Sequence, residues 1–214
     1  MKISTTVQCR LCRRAGKKLF LKGERCDTSK CAIVKRNYAP GLHGPKFAAA
    51  GGRRMTDYGK QLNEKQIAKR GYGLRERQFA AYYEKAVNQK GDTGQNFYKL
   101  LEFRLDNVIA RLGWGRSMKH SRQLVNHGHF LVNGKKIDIP SFQVKVNDVV
   151  SIKESSLEKS RSFTDLAERM KNKEVPGWLF YDEKAKTGKI VEVPNVKVEA
   201  QEFDIKKIIE FYSR

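Results

Sequence analysis

The sequence predicts an α+β fold: a mostly helical N-terminal unit that carries an irregular arm, and a compact module of helices and a small antiparallel sheet. Three observations lead to this prediction. Residues 1–52 hold all four cysteines and several glycines but show little periodic apolar signal. Apolar residues then recur at helical spacing from about residue 56 to residue 112. Short runs rich in β-branched residues, separated by turn dipeptides, follow from residue 130.

The arm, residues 1–52, is predicted to be irregular because glycine and proline interrupt it repeatedly. Residues 38–45 read YAPGLHGP, and residues 48–52 read AAAGG. Such runs favour turns and loops over regular elements. The arm offers few apolar side chains for a core, so we expect a different kind of cross-link to hold it together.

Three helices are predicted after the arm. Asp57 is a suitable cap for a helix over residues 57–70, and the glycines of the GYG run at residues 71–73 end it. A second helix is expected over residues 74–88, with aromatic residues at helical spacing. A third, over residues 96–112, carries a long apolar stripe and stops at a glycine.

The next segment is predicted to form a short helix and then a small sheet. Ser117 is a good N-cap for a helix that ends at His127, with apolar residues on one side and cations on the other. The Asn-Gly pair at residues 133–134 is typical of a two-residue hairpin turn. The expected strands are residues 130–132, 137–139, 143–146 and 149–152.

A helix over residues 162–172, a hairpin of residues 178–181 and 189–193, and an amphipathic helix over residues 204–212 complete the prediction. We expect the last helix to pack back on the first helical unit. The expected domains are the arm, residues 1–52; a helical domain, residues 53–95 with residues 200–214; and the module, residues 96–199, with its core at residues 104–154.

The chain carries a formal net charge of +21, and this charge is concentrated near the N-terminus. Residues 1–70 contain 18 Lys and Arg against 4 Asp and Glu, a net charge of +14. An excess of this size indicates a polyanionic partner, either nucleic acid or an anionic membrane. There is no run of about 18 apolar residues and no apolar signal-peptide core. We therefore expect a protein of the cell interior with no membrane partner.

The four cysteines have the spacing of a metal site. Cys9 and Cys12 form one close pair, and Cys26 and Cys31 form a second pair beyond a basic loop. Two such pairs suit one tetrahedral zinc ion, which would also explain how a segment without a core folds. The surrounding lysines and arginines are expected to lower the pKa values of the thiols. An iron-sulfur cluster, a redox-active pair or two disulfides are the alternatives.

A second group of candidate residues lies between residues 104 and 136. Guanidinium groups suit phosphates, amides and imidazoles suit unpaired bases, and the combination fits folded RNA. Asp106, two residues after Arg104, is suited to fix a neighbouring arginine or to cap. No pattern of catalytic residues stands beside them, so we expect no enzyme. The candidates are Arg104, Arg116, Lys119, Arg122, Gln123, His127, His129, Asn133, Lys135 and Lys136.

The run RLDNVIARLGWGRSMKHSRQLVNHGHFLVNGKKIDIPSFQVKVNDVVSIKE, residues 104–154, resembles the RNA-binding domain of small-subunit ribosomal protein S4. This domain also occurs in pseudouridine synthases, tyrosyl-tRNA synthetases and heat-shock RNA binders, so it leaves an RNA-modifying enzyme or a stress-response binder open. The flanking runs CRLCRRAGKKLFLKGERC, KCA, YAPGLHG and DYGKQLNEKQIAKRGYGLRERQF resemble the bacterial-type ribosomal protein itself. Ser121 stands where alanine is usual in that family.

The resemblance implies a structural, ribosome-bound cytoplasmic protein that binds 16S ribosomal RNA. It would grip a multi-helix junction of the 5′ domain, nucleate the body of the small subunit, contact small-subunit protein five at an interface tied to accuracy, and lie near the messenger RNA entry channel beside other small-subunit proteins. It implies Cys9, Cys12, Cys26 and Cys31 as zinc ligands. In the helical domain it implies RNA contacts from Arg53, Arg54, Lys60, Lys69, Arg70, Tyr72, Arg75, Arg77 and Gln78.

Overall fold

The computed structural model describes residues 5–49, 55–160, 162–171, 173–183, 185–195 and 203–214. Two compact units divide the chain: residues 1–79 with 201–214, and residues 80–200. Within the described residues the helices are α1 Thr5–Ala15, α2 Ala32–Lys35, α3 Gly44–Ala49, α4 Asp57–Gly71, α5 Glu76–Val87, α6 Thr93–Glu102, α7 Leu105–Arg111, α8 Met118–Asn126, α9 Glu154–Lys159, α10 Leu166–Lys171 and α11 Ile205–Tyr212, with a 3-10 turn at Gly23–Cys26. The strands are β1 Phe130–Val132, β2 Lys135–Lys136, β3 Val149–Ile152, β4 Leu179–Asp182 and β5 Thr187–Ile190. The α+β prediction is therefore confirmed.

The N-terminal arm is not irregular throughout, and that part of the prediction is wrong. Helix α1 runs for three turns, and short helices follow at α2 and α3. The sequence of α1 is rich in good helix formers such as Arg, Leu, Gln and Ala. Among residues 8–15 of α1, whose side chains the structure describes, the buried ones are Cys12 and Ala15. The prediction of an irregular arm followed from the glycines and prolines further along the arm, although α1 itself is amphipathic.

The first unit is built around α4 and α11. Thr56 rather than Asp57 caps α4, because its hydroxyl accepts a hydrogen bond from the amide of Gly59 at 3.2 Å. Ile67 and Ala68 on α4 and Ile208 on α11 are almost fully buried. The C-terminal helix therefore supplies part of the hydrophobic core of this unit.

A polar cluster also joins elements of the first unit. Glu76, at the start of α5, accepts hydrogen bonds from Lys65 at 2.7 Å, Lys69 at 2.6 Å and the hydroxyl of Tyr212 at 2.9 Å. Burial tends to raise the pKa of this carboxyl, but the three donors outweigh burial and lower its pKa to about 2. The cluster links α4, α5 and α11 through one carboxylate.

The second unit contains a five-stranded antiparallel sheet in the order β2-β1-β3-β5-β4. Its hydrophobic core includes Leu105, Ile109, Trp114, Phe130 and Val150, each with no exposed side-chain surface. Trp114 stacks on Phe130 with ring centroids 5.7 Å apart. The hairpin β4–β5 joins the sheet through β3, so the strands predicted at the end of the module extend the sheet predicted at its centre.

The single helix predicted over residues 96–112 is in fact two helices. Helix α6 begins at Thr93, capped by the carboxylate of Asp92, and α7 begins at Leu105. Arg104 between them is extended and its backbone bridges Gln143. The apolar stripe continues across the break, because buried side chains line both helices. Periodicity alone therefore does not reveal the break.

Four further element predictions need correction. The second hairpin strand is Lys135–Lys136 rather than residues 137–139, because the turn has only two residues, both with positive φ. Residues 143–146 form no strand in the described chain: their backbone bonds to the α6–α7 junction instead. Helix α9 was not predicted, and α10 begins at Leu166 rather than at residue 162. Predicted helix residue Asn172 lies outside the described residues. Among those residues, no helix is long and apolar enough to cross a bilayer.

Candidate RNA-binding surface and cysteine cluster

Helix α8 presents a polar side to solvent and an apolar side to the core of the second unit. Ser117 caps it by accepting a hydrogen bond from the amide of His120 at 3.3 Å. Leu124 and Val125 are buried, whereas Lys119 and Gln123 are exposed. This confirms the predicted cap and the predicted division of the helix. Its exposed donors are available to a polyanion.

Arg116, just before α8, has an exposed acidic partner. Its guanidinium forms an ion pair with the carboxylate of Asp165. Both side chains are about half exposed, so solvent screens the pair and phosphate can compete for the arginine. The sequence reasoning did not include Asp165, since a residue separated by 49 positions gives no local signal.

The β1–β2 hairpin places two lysines at the surface. Asn133 and Gly134 form the turn with φ angles of 49° and 77°, and Lys135 and Lys136 follow, both exposed. The side chain of Lys136 crosses Gly128, where an added Cβ would lie 2.3 Å from the lysine Cε. Because that contact is with the flexible end of a lysine side chain, it is the positive φ of 69° that favours glycine at position 128.

Asn133 is tied into the fold by both ends of its amide. Its Nδ2 donates to Asp148 at 2.8 Å, and its Oδ1 accepts from the amide of Val149 at 2.9 Å. The residue is exposed, but its side chain joins the hairpin turn to the start of β3. Its position therefore has a structural explanation that does not involve RNA.

His127 and His129 lie side by side near these lysines in sequence. Their rings stack with centroids 6.0 Å apart, and Nδ1 of His129 lies 3.0 Å from the hydroxyl of Ser156. Burial, followed by the nearby charge of His127, lowers the pKa of His129. At neutral pH His129 is therefore an uncharged hydrogen-bonding group and adds no charge to the surface.

Arg104 is not at the surface, contrary to the expectation for an RNA contact. Its side chain is 1% exposed and forms two hydrogen bonds to Asp106, at 3.0 and 2.7 Å, and a third to the hydroxyl of Tyr82 at 2.6 Å. The prediction that Asp106 fixes a neighbouring arginine is confirmed. The phenol of Tyr82, 22 positions away, gave no local signal in the sequence. Arg122 on α8 lies 3.6 Å from the same carboxylate and keeps 28% of its side chain exposed.

The candidate residues of the first unit differ in their surroundings. Lys60 and Lys69 are paired with carboxylates, those of Asp57 and Glu76. Tyr72 is 4% exposed and packs edge-on against Phe203, so it belongs to the core. Arg70 is half-buried, and burial followed by the charge of Arg14 lowers its pKa. Arg75, Arg77 and Gln78 are exposed, and Arg53 and Arg54 lie outside the described residues.

All four cysteines line one small cavity in the first unit. Cys9 and Cys12 lie one turn apart on α1, Cys26 ends the 3-10 turn, and Cys31 is the N-cap of α2. All four are free thiols. The cavity has a volume of about 20 Å³, which is room for a single small ion or water.

For Cys12 and Cys26, the expectation that nearby cations lower the thiol pKa is wrong. Burial raises the pKa of Cys12 and of Cys26, and the neighbouring thiols add to the rise. Arg10 and Arg14 are exposed on the outer side of α1, and Arg13 instead donates to the carbonyl of Tyr38 at 2.9 Å. These arginines do not line the cavity, whereas Lys22 does.

Among the described residues, no group of three or more His, Cys, Asp or Glu side chains is arranged to hold a metal ion. The four cysteines line one cavity, yet their side chains are not arranged as a metal site. Lining one cavity requires only proximity, whereas a metal site requires the sulfurs to converge on one point. The structure thus brings four thiols together but does not place their sulfurs as the ligands of one ion.

Comparison with known proteins identifies two matched regions. Residues 4–102 match the ribosomal protein S4/S9 N-terminal domain, and residues 103–150 match the S4 domain. The chain is 51% identical to the small ribosomal subunit protein uS4 of Clostridium botulinum over 98% of both chains. It is 50% identical to that of Acetivibrio thermocellus, over 89% of this chain and 88% of the relative. It is also 50% identical to uS4A of Clostridium acetobutylicum over 98% of both. With this identity over nearly its whole length, the chain belongs to the small ribosomal subunit protein uS4 family.

Proposed function

We propose that the protein is a structural, non-enzymatic component of the small ribosomal subunit that binds 16S ribosomal RNA. The observation that carries the proposal is the match to uS4 relatives over 98% of the chain. It makes the stress-response and enzyme alternatives unnecessary, because the match includes the flanks as well as the S4 domain. In finer detail, the protein would grip a multi-helix junction in the 5′ domain and nucleate assembly of the subunit body.

The exposed donors of the second unit support RNA as the partner. Lys119, Gln123, His127, Lys135 and Lys136 are exposed, and Arg116 and Arg122 keep part of their side chains in solvent. Lysine and arginine side chains bind phosphates, while amides and neutral imidazoles bind base edges and sugar hydroxyls. We do not propose Asn133 and Arg104 as RNA contacts, because both side chains are hydrogen-bonded within the protein.

The role at the ribosome would include protein neighbours. We propose that the chain contacts small-subunit protein five at an interface that affects translational accuracy, along with other small-subunit proteins. It would lie near the messenger RNA entry channel of the cytoplasmic ribosome. These proposals rest on family membership.

Sucrose-gradient fractionation followed by chemical footprinting tests the central proposal. The protein should sediment with small subunits, and the purified chain should protect nucleotides around one junction in the 5′ domain of 16S RNA. Absence from small subunits, or protection that is scattered over the 5′ domain, would contradict the proposal. The exposed pair Lys135→Gln and Lys136→Gln should weaken the protection, while Lys189→Gln on β5 serves as an exposed control outside the proposed surface.

We also propose that Cys9, Cys12, Cys26 and Cys31 hold one structural zinc ion. The donor set supports this, since four free thiols in two close pairs line one cavity large enough for an ion. Bound zinc would deprotonate the thiols and link α1, the 3-10 turn and α2. An iron-sulfur cluster is the alternative for the same four ligands.

Native mass spectrometry distinguishes these cofactors. We expect one zinc per chain, and none after all four cysteines are changed to serine. Iron with acid-labile sulfide would indicate the cluster instead. A metal-free chain whose N-terminal unit is fully folded by amide hydrogen exchange would refute both.

A further inference from the structure

The carboxylate of Asp106 is shared by two arginines with different surroundings. Arg104 approaches it through Nε and Nη2, at 3.0 and 2.7 Å, and both side chains are essentially buried. Arg122 approaches the same Oδ2 atom through Nε at 3.6 Å, from the partly exposed side of α8. One buried acid therefore contacts one buried and one solvent-accessible guanidinium.

The position of this carboxylate is tightly constrained. Asp106 lies in the first turn of α7, and its amide donates to the carbonyl of Pro140 at 3.2 Å. Arg104 is held in turn by the hydroxyl of Tyr82 at 2.6 Å and by its backbone bridge to Gln143. Because its partner is fixed on several sides, the carboxylate presents Oδ2 to Arg122 in a set direction.

The charges of the three groups favour this arrangement. Burial raises the pKa of Asp106, and the charges of Arg104 and then Arg122 oppose that rise. Burial would lower the pKa of Arg104, but the Asp106 carboxylate outweighs burial and raises it. The raised pKa of Asp106 favours a neutral acid, whereas the raised pKa of Arg104 favours a charged guanidinium. We regard the pair as ionised, because a guanidinium keeps its proton and would otherwise be an unpaired buried charge.

Buried pairs of this kind contribute little net stability, so a second role for the carboxylate is physically reasonable. We infer that Asp106 is a positioning residue for RNA binding, which holds the guanidinium of Arg122 in the orientation that contacts an RNA phosphate. The inference deepens the proposed function and rests on it. It assigns to the RLD run a role in orienting a contact made by α8, 16 residues away from Asp106 in sequence.

A double-mutant cycle in the full-length protein tests the inference. The variants are Asp106→Asn, Arg122→Gln and the pair, measured with a transcript of the 16S 5′ domain and, separately, with poly(U). Asp106→Asn should weaken binding to the 5′ domain about fivefold in the wild-type background and less than about twofold beside Arg122→Gln. Its affinity for poly(U) should not fall, since losing an acid makes the surface more positive. Equal losses in both backgrounds would overturn the inference.

Glu102→Gln is the matched control. Glu102 is also a fully buried carboxylate of the second unit, paired with Arg111 at 2.8 Å and with Asn107 at 2.7 Å. Its replacement should destabilise the fold to a similar degree and show no coupling to Arg122→Gln. Coupling as strong as that of Asp106→Asn would show that general loosening of the unit explains the effect.

Arg122→Lys provides a test that leaves the buried Arg104–Asp106 pair intact. Lysine keeps the charge but lacks the Nε that contacts Asp106. We expect it to lose about as much affinity for the 5′ domain as Asp106→Asn, without a change in thermal stability. Wild-type affinity in this variant would overturn the inference. A wild-type protein that binds the 5′ domain no better than poly(U) would overturn the proposed function as well.

Discussion

The hydroxyl of Ser121 lies inside α8 at a point where the chain before the helix comes very close. A Cβ added to Gly115 would lie 2.1 Å from the Ser121 oxygen, so the glycine is needed for space. The same oxygen is buried and has no hydrogen-bond partner among the described residues. The site therefore has room for the serine side chain, but it offers the hydroxyl no hydrogen-bond partner among the described residues. Alanine would suit both the shape and the polarity of this site.

Ser121→Ala should stabilise the protein by about 1 kcal/mol, because it removes a buried hydroxyl without a partner. Ser117→Ala on the same helix should have the opposite effect, a loss of about 1 kcal/mol, since it removes the N-cap. Urea unfolding of the two variants measures both changes. A loss of stability in Ser121→Ala would mean that a bound water satisfies the hydroxyl.

Glu76 makes stability depend on pH in the acid range. Its folded pKa of about 2 lies below the ordinary value of 4.5, so its contribution is fully present above about pH 4.5 and disappears as the pH falls towards 2. Glu76→Gln should cost about 1 kcal/mol at pH 7, a value reduced by solvent screening because 47% of the side chain is exposed. The difference from wild type should vanish near pH 2. Unfolding curves at several pH values measure it, with the exposed Glu84→Gln on α5 as control; a difference that persists at low pH would rule out the carboxylate as its source.

At the scale of elements, the sequence identified those with both a terminal signal and a periodic pattern. Helix α8 has a serine cap and an apolar face, and it was predicted closely. Helices α6 and α7 share one apolar stripe, and nothing in that pattern marks the extended Arg104 between them. Helix α1 buries a cysteine and an alanine, and the glycine- and proline-rich runs beyond it favoured the prediction of an irregular arm. Tertiary contacts decide these cases, and a sequence pattern does not contain them.

Part of the candidate site was predictable from local sequence patterns, and part was not. Exposed cations on α8 and in the β1–β2 hairpin follow from amphipathic pattern and turn chemistry. The burial of Arg104 and the packing of Tyr72 depend on Tyr82 and Phe203, which are distant in sequence. The pairing of Lys69 with Glu76 joins two different helices, α4 and α5. The distinction between a structural and an accessible cation therefore required the structure.

The β1–β2 hairpin allows a direct test of whether Asn133 is structural. Asn133→Ala removes two side-chain hydrogen bonds and leaves an alanine at φ 49°, a backbone conformation that alanine rarely adopts. We therefore expect the free energy of unfolding to fall by about 2 kcal/mol. Asn133→Gly relieves the backbone strain and should lose about half as much. Urea unfolding gives the stabilities, and binding to the 16S 5′ domain gives the affinities. A variant with unchanged stability and sharply lower affinity would return Asn133 to the RNA contacts.

At the scale of the whole molecule, positive charge is the dominant property. The net charge of +21 implies that binding to RNA releases many counterions, with an affinity that falls steeply as salt rises. Lys119→Gln on α8 should reduce the slope of log affinity against log salt by about 0.7 to 0.9, the contribution of one phosphate contact. Lys189→Gln should leave the slope unchanged. Equal slopes for both variants would place Lys119 outside the interface.

The division of the chain also determines the order in which its parts can be completed during synthesis. Residues 80–200 form one continuous unit, whereas the first unit needs α11, near the other end of the chain, for its core. A nascent chain can therefore finish the sheet-containing unit while the N-terminal unit still lacks the helix that carries Ile208. The N-terminal residues are therefore made first, but the unit to which they belong is completed last. Until α11 is made, the strongly basic N-terminal segment lacks part of its hydrophobic core.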